Sequence, residues 1–244
     1  MKRSKKQWQG CEDLKTAVRK ITLVLERQYG IPRREHSRDP LDILIETILS
    51  QNTNDQNRDR TYRRLKSRFP RWEDALKGKA RSIVSAIRPG GLAGQKATRI
   101  RETLRWIKRR EGRLSLFFLK GMGDAEIKKT MGGLKGIGPK TLHCLLLFGL
   151  GREAFPVDTH ILRVGKRLGF IPERMDAEKA HQWMAPLVPK EKFLSLHLNL
   201  IRFGREVCKA KKPSCHACFV SDGCFPCDRR RDVACRAKEG YNLA

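Results

Sequence analysis

The chain has 244 residues, enough for one large or two small domains with a real core. Lysine and arginine total 53 against 26 aspartate and glutamate, a formal charge of +27, so the natural partner is a polyanion, bound in a salt-sensitive way. Residues 1–9 are basic but no apolar signal-peptide core follows, and the longest apolar run, Leu142 to Leu150, is far short of a membrane span. The expectation is therefore an intracellular, water-soluble protein, nucleoid-associated in the cytoplasm if the source is prokaryotic.

Residues 11–30 carry Leu14, Val18, Ile21 and Leu25 at helical spacing and end at Gly30 with Pro32 just beyond, which predicts a capped helix. Arg33 to Pro40 is a charged connector. A helix restarts over Pro40–Ser50 with Leu41, Leu44, Ile45, Ile48 and Leu49, and reads as largely buried. It runs into Ser50-Gln51-Asn52-Thr53-Asn54-Asp55, a polar stretch that would be costly to bury because every amide brings donors and acceptors; an exposed loop needs no such explanation. Residues 56–88 predict two basic helices with Tyr62, Leu65, Phe69, Trp72, Leu76 and Ile83 as core. A glycine-rich turn, Pro89 to Lys96, holds one apolar residue, Leu92, before a strongly basic helix over 97–110. Leu114 to Met131 supplies further helices, and after Asp158 the apolar positions up to Ile201 again keep helical spacing. No period-2 pattern of useful length occurs, so the fold class is all-α.

The stretch with the most chemistry runs from Leu134 to Asp158. Gly136-Ile137-Gly138 permits a tight hairpin whose backbone N–H groups can approach a ligand closely, and the helix that follows directs its positive end the same way. That is an anion-binding device. Pro139 suits the first helical turn, where its missing N–H would have had no partner. Lys140 falls within that turn, where the helix dipole disfavours a positive charge. It is a candidate nucleophile, although most lysines at helix starts are solvated surface residues.

Eight cysteines in a chain of this kind point to a metal or cluster rather than to disulfides. Cys208, Cys215, Cys218 and Cys224 give C-x6-C-x2-C-x5-C, four thiols that can surround one soft centre, zinc or iron–sulfur. Cys227 allows a second grouping with Cys215, Cys218 and Cys224, a compact zinc knot, and residue type alone favours zinc. Cys11 and Cys144 read as core thiols, and no role is assigned to Cys235 or the C-terminal tail.

The run from Leu134 through Val157-Asp158-Thr159-His160 resembles the helix-hairpin-helix signature of the endonuclease III family of DNA glycosylases, and the cysteine spacing resembles the 4Fe-4S signature of the same family. The resemblance covers roughly residues 10–224. It implies two helical domains with a DNA-binding cleft between them: a six-helix domain with the hairpin over 41–152, and an iron–sulfur cluster domain over 1–40 plus 153–244. It further implies that Lys140 is the nucleophile and Asp158, eighteen positions on, its carboxylate partner, with Gly136 and Gly138 on a DNA phosphate. Cys208, Cys215, Cys218 and Cys224 would hold the 4Fe-4S cluster, and Lys209, Lys211 and Lys212 would lie along the DNA backbone.

In the family, the segment at Gln51 and Asn52 fills the gap left by an extruded base, and Leu92 wedges between bases from the other side. Asn52, or Gln51 beside it, takes the filling role here. Ala93 departs from the pattern, which commonly has an aromatic there. The activity implied is removal of damaged bases, oxidised pyrimidines first, from double-stranded DNA, with cleavage of abasic sites by β-elimination, by a monomer. Glu46, near an acidic position of adenine- and mismatch-specific relatives, opens an alternative: removal of thymine or uracil opposite guanine, or of adenine from an oxidised mispair. Relatives of that kind generally lack a lysine at position 140. A third reading is a structural DNA-binding protein without catalysis, against which the presence of both Lys140 and Asp158 counts.

Overall fold

The computed structural model describes residues 13–32 and 39–220. Cys11, Cys224, Cys227 and Cys235 therefore lie outside the described residues. Among those residues the chain is helical with no β-strand, and it divides into two compact units, one made of residues 1–34 and 153–244, the other of 35–152.

The 35–152 unit is built on helix α2, Pro40–Ser50. Leu41, Leu44, Ile45, Ile48 and Leu49 are fully buried and Ile43 nearly so. A helix apolar on nearly every side must be surrounded, and α2 is packed by α3 (Asp55–Arg68), α6 (Ala93–Glu111), α8 (Pro139–Cys144) and the π-helical turn Leu145–Gly149. Its start is set by Asp39, whose Oδ1 accepts from the Leu41 N–H at 2.8 Å, followed by Pro40 in the first turn. Burial holds the Asp39 carboxyl above the usual carboxylate range.

Residues 55–87 form three helices rather than two: α3, then α4 (Trp72–Lys77) and α5 (Ala80–Ile87). Pro70 and Gly78 mark the breaks. Tyr62 and Leu76 are only half-buried, and Thr61 and Ala75 take the fully buried places beside them. Trp72 anchors α4 to α2 by donating its indole N–H to Asp42 at 2.8 Å, with the Lys66 ammonium 4.5 Å from the ring centre. Helix α6 begins four residues earlier than the periodicity suggests and ends at Gly112, which takes φ +68 and returns its N–H to Lys108. Helix α7, Asp124–Met131, leads into the hairpin.

In the other unit, α1 (Leu14–Tyr29) packs on α11 (Phe193–Glu206), which also packs on α9 (Thr159–Leu168); α10 (Ala177–Met184) lies against α9. Ala17, Val18, Ile21 and Leu25 of α1 and Leu196, Leu200 and Phe203 of α11 are buried. Gly165 is required where α9 meets the following turn, since a Cβ there would lie 2.5 Å from Ile171 Cδ1. Glu26, 8% exposed, accepts from Ser195 Oγ at 2.5 Å and Lys192 Nζ at 2.9 Å, so this buried carboxylate is fully committed to α11 and the turn before it. No helix among the described residues is long and apolar enough to cross a membrane.

Removing the Glu26 carboxylate takes away the acceptor shared by the buried Ser195 hydroxyl and the Lys192 ammonium. Glu26→Ala should lower stability by about 2–4 kcal/mol, read as a shift in the denaturant midpoint; a change within error would show that the α1–α11 packing does not depend on this carboxylate.

Candidate functional site

After α7 the chain turns through Gly132 to Gly138. Leu134 N–H returns to Met131 O and Ile137 N–H to Leu134 O, both at 3.0 Å, and Ile137 is buried as the anchor of the turn. Gly136 takes φ +85, and a Cβ there would lie 2.5 Å from Arg99 Cδ. Both the left-handed backbone and the close approach of the arginine stem require glycine. Gly138 differs: it is extended, caps α8, and no chain atom stands within 4 Å of where its Cβ would be. That side of the hairpin is open to an approaching ligand.

Pro139 is the first residue of α8 and Lys140 the second, half-buried. One turn on, His143 is buried and its Nδ1 lies 2.7 Å from Pro139 O. Because a carbonyl can only accept, Nδ1 carries the proton. Burial keeps this imidazole below the usual histidine range, with Lys128 acting in the same direction.

The two amides of the polar run have different places. Gln51 donates from Nε2 to Gly136 O at 2.8 Å and accepts on Oε1 from Arg99 Nη1 at 2.7 Å. Its carboxamide is a strut joining the end of α2, the hairpin and α6. Asn52 is exposed at φ +52, in the left-handed region where Asn is tolerated better than most residues. Asn54 is the N-cap of α3, accepting from Asn57 N–H at 2.8 Å. Leu92 is 47% exposed, also left-handed at φ +50, and precedes α6; Ala93 is the first residue of that helix and half-buried. Glu46 is half-buried on α2. A recess of about 410 Å³ beside the hairpin is lined by Gln95, Thr98, Arg99, Glu102, Lys135 and Gly136. Lys140 does not line it and its charges are mixed, so it is not read as a base pocket. Arg99 has no signal in the sequence beyond being one more cation on a basic helix.

In the other unit Asp158 is the N-cap of α9, half-buried, with Oδ1 accepting from Ile161 N–H at 2.9 Å. The chain leading to it is held by two buried histidines. Val157 N–H donates to His181 Nδ1 at 2.9 Å, and His197 Nδ1 donates to Pro156 O at 2.8 Å. The two rings thus require opposite tautomers. With His181 Nδ1 accepting, its 3.2 Å approach to Phe155 O is a contact rather than a second hydrogen bond.

Helix α9 also organises the start of the cysteine segment. Arg163 donates to Gly204 O at 2.7 Å and to Cys208 O at 3.0 and 3.1 Å, meeting free carbonyls at the end of α11. Arg167 donates to Lys209 O and Ala210 O and places Nη1 3.5 Å from Cys208 Sγ. Ser214 N–H closes the loop onto Val207 O at 2.9 Å. Lys209, Lys211 and Lys212 are exposed on that loop, with Lys212 at φ +50. Cys208 is buried, and Cys215 and Cys218 are half-buried at either end of a short 3₁₀ turn. Phe219 then stacks edge-on against Tyr29 and Phe203.

None of the described cysteines forms a disulfide. Among the described residues no three Cys, His, Asp or Glu side chains form a ready-made ion nest, and Cys224 lies beyond them. The donor set nevertheless fits a soft iron–sulfur centre: every candidate ligand is a thiol, and Cys208 has a guanidinium beside its sulfur, as an anionic thiolate favours.

Comparison with known proteins bears on these features. Residues 45–190 match the HhH-GPD superfamily base excision DNA repair protein model, and residues 208–224 match the iron-sulfur binding domain of endonuclease III. Endonuclease III of Thermotoga maritima is 30% identical over 193 residues, covering 79% of this chain and 86% of that protein. An Arabidopsis thaliana protein named "Putative DNA glycosylase" is 39% identical over 172 residues, 70% of this chain; the chain spans 59% of that longer protein. Among solved structures, a trapped endonuclease III–DNA covalent intermediate aligns with a TM-score of 0.74 at 26% identity, covering 89% of this chain and 99% of that one. A non-covalent endonuclease III–DNA complex aligns with the same TM-score and identity over 88% and 97%. The chain belongs to the HhH-GPD superfamily of base excision repair DNA glycosylases and, with its 4Fe-4S cluster domain, to the endonuclease III family.

Proposed function

We propose that the protein is a bifunctional glycosylase and abasic-site lyase acting on oxidised pyrimidines in duplex DNA, with Lys140 as nucleophile and Asp158 as its carboxylate partner. The observation that carries this reading is Lys140 itself, a half-buried amine in the first turn of α8 directly after the open glycine of the hairpin. A protein that only gripped DNA would need the hairpin but no amine there. The likeness to an endonuclease III captured as a covalent DNA intermediate supports the same chemistry.

The target base must leave the stack before its sugar can be reached. Backbone N–H groups at Gly138 and the α8 start take a phosphate, Leu92 and Asn52 hold the distorted duplex open, and the exposed Lys209, Lys211 and Lys212 add sequence-independent phosphate contacts. The neutral Lys140 amine attacks C1′; the bond from C1′ to the base breaks and the base leaves with the electron pair, taking up a proton. The attached nitrogen gives up one proton, the C1′–O4′ bond breaks with O4′ taking up a proton, and the ring-opened sugar remains as a protonated Schiff base. Loss of a C2′ proton then expels the 3′ phosphate. Asp158, as a carboxylate, activates the amine and offsets positive charge on the sugar. Its hydrogen bond to Ile161 N–H and the histidine-pinned chain before it fix its direction. Cys208, Cys215, Cys218 and Cys224 would hold the 4Fe-4S cluster, and the three lysines lie on the loop between the first two of these cysteines.

Borohydride should trap a covalent adduct on abasic and thymine glycol duplexes, and Lys140→Gln should reduce trapping by at least about 10³-fold. Equal trapping by the variant would end the assignment. Asp158→Asn should slow base release by about 10²–10⁴-fold while leaving DNA binding intact, as measured in single-turnover assays. On a lesion panel, thymine glycol and dihydrouracil should be excised ahead of thymine or uracil opposite guanine; the reverse order favours the mismatch reading. The purified protein should be brown with broad visible absorption, lost in Cys208→Ser, whereas a colourless zinc-loaded protein would contradict the cluster.

A further inference from the structure

Lys96 is the largest side chain among the described residues to be fully buried. It lies in the first turn of α6, where its own N–H makes the helix's first backbone bond to Leu92 O at 3.0 Å. Its ammonium donates to two main-chain carbonyls, Leu49 O and Gly90 O, each at 2.8 Å. Leu49 O belongs to the last turn of α2, whose terminal carbonyls have no helical partner. Gly90 O ends the 3₁₀ turn Arg88–Gly90, two residues before Leu92. One cation therefore joins the base of the Gln51–Asn52 segment to the base of the Leu92 turn.

Packing alone does not call for a lysine here. A methionine has similar volume, and a buried ammonium without a carboxylate is expensive. The burial itself pushes the Lys96 amine below the usual lysine range, and Arg99 one turn on pushes the same way. Both segments that Lys96 ties end in an exposed, non-glycine residue in the left-handed region, Asn52 at φ +52 and Leu92 at φ +50. Such backbones persist only where surrounding structure over-determines them.

We propose that Lys96 is a positioning residue that locks the Leu92 turn to the end of α2, so that Leu92 and Asn52 enter the duplex as one rigid unit. This rests on the reading of Leu92 and Asn52 as the groups that hold the opened duplex. Pre-ordering the two tips before they meet DNA removes an entropic cost that would otherwise fall on duplex opening. The lock has no task on unpaired DNA, where there is no stack to open. Lys96 touches neither DNA nor the reacting atoms, so it acts on base extrusion and not on the chemistry at C1′.

The test compares cleavage of one abasic site in a duplex and in the same strand unpaired, using the full-length protein with its cluster. Lys96→Met should lower duplex activity by about ten- to a hundredfold and leave single-strand activity within about twofold. A parallel loss on both substrates, tracking a lowered melting temperature, would mean that Lys96 only holds the fold and would overturn the proposal; so would unchanged activity on both. Should Lys96→Met fail to fold, Lys96→Gln, which keeps amide donors without the charge, should show a smaller loss confined to the duplex, and equal losses on both substrates would again overturn it. Leu92→Ala separates this inference from the reading beneath it. If Leu92→Ala spares duplex activity, the wedge reading itself fails. If Leu92→Ala impairs the duplex reaction and Lys96→Met does not, the wedge stands and the lock is wrong. With both correct, the double variant loses clearly less than the product of the two single losses.

Discussion

The hairpin keeps its shape only while Gly136 holds a left-handed conformation with an arginine stem lying against it. The Gln51 carboxamide maintains that arrangement, binding Gly136 O through its nitrogen and the Arg99 guanidinium through its oxygen. A carboxamide suits this place because it donates and accepts at once; a carboxylate could not donate to Gly136 O, and an amine could not receive Arg99. Helix α2, buried on almost every side, carries Gln51 at its end and so transmits its fixed position to the turn. The site inherits its geometry from the most deeply buried helix of the 35–152 unit.

A comparable economy of polar contacts is found in the other unit. Two arginines one turn apart on α9 bind carbonyls in the last turn of α11 and in the loop after it, and place a guanidinium beside Cys208. Asp158, directly after the histidine-pinned residues Pro156 and Val157, caps the same helix. One short helix therefore fixes both the candidate carboxylate and the beginning of the cluster segment. Disturbance of α9 is expected to reach both.

The charge of +27 has a simple physical counterpart. Many of the cations among the described residues are exposed on helices and loops, where they raise the local concentration of a polyanion without selecting a sequence. On the proposed reading, selectivity comes from a few residues that act on the duplex itself, and the candidates, Leu92 and Asn52, are uncharged. On that reading many charges supply affinity and two left-handed tips supply discrimination, so the placement of those tips matters more than any single charge.

Much of the protein was legible in the residues alone. Helical spacing, the absence of a period-2 pattern, the Gly-x-Gly hairpin with Lys140 behind it and the cysteine spacing are all properties of short stretches, and short stretches report local order. The three helices across 55–87 were also within reach, through Pro70 and Gly78. What the linear order could not decide was the role of groups whose partners lie far along the chain. Gln51 and Asn52 are neighbours with the same functional group, yet one bonds a carbonyl 85 positions away and the other points outward. Arg99 and Lys96 look like two more cations on a basic helix until contacts 48 and 47 positions distant show one bracing the Gln51 amide and the other buried against two carbonyls. Residue type and spacing determined which chemistry the chain can carry; only tertiary packing, by bringing distant donors and acceptors together, decided which of two neighbouring amides is a strut within the fold and which is left exposed.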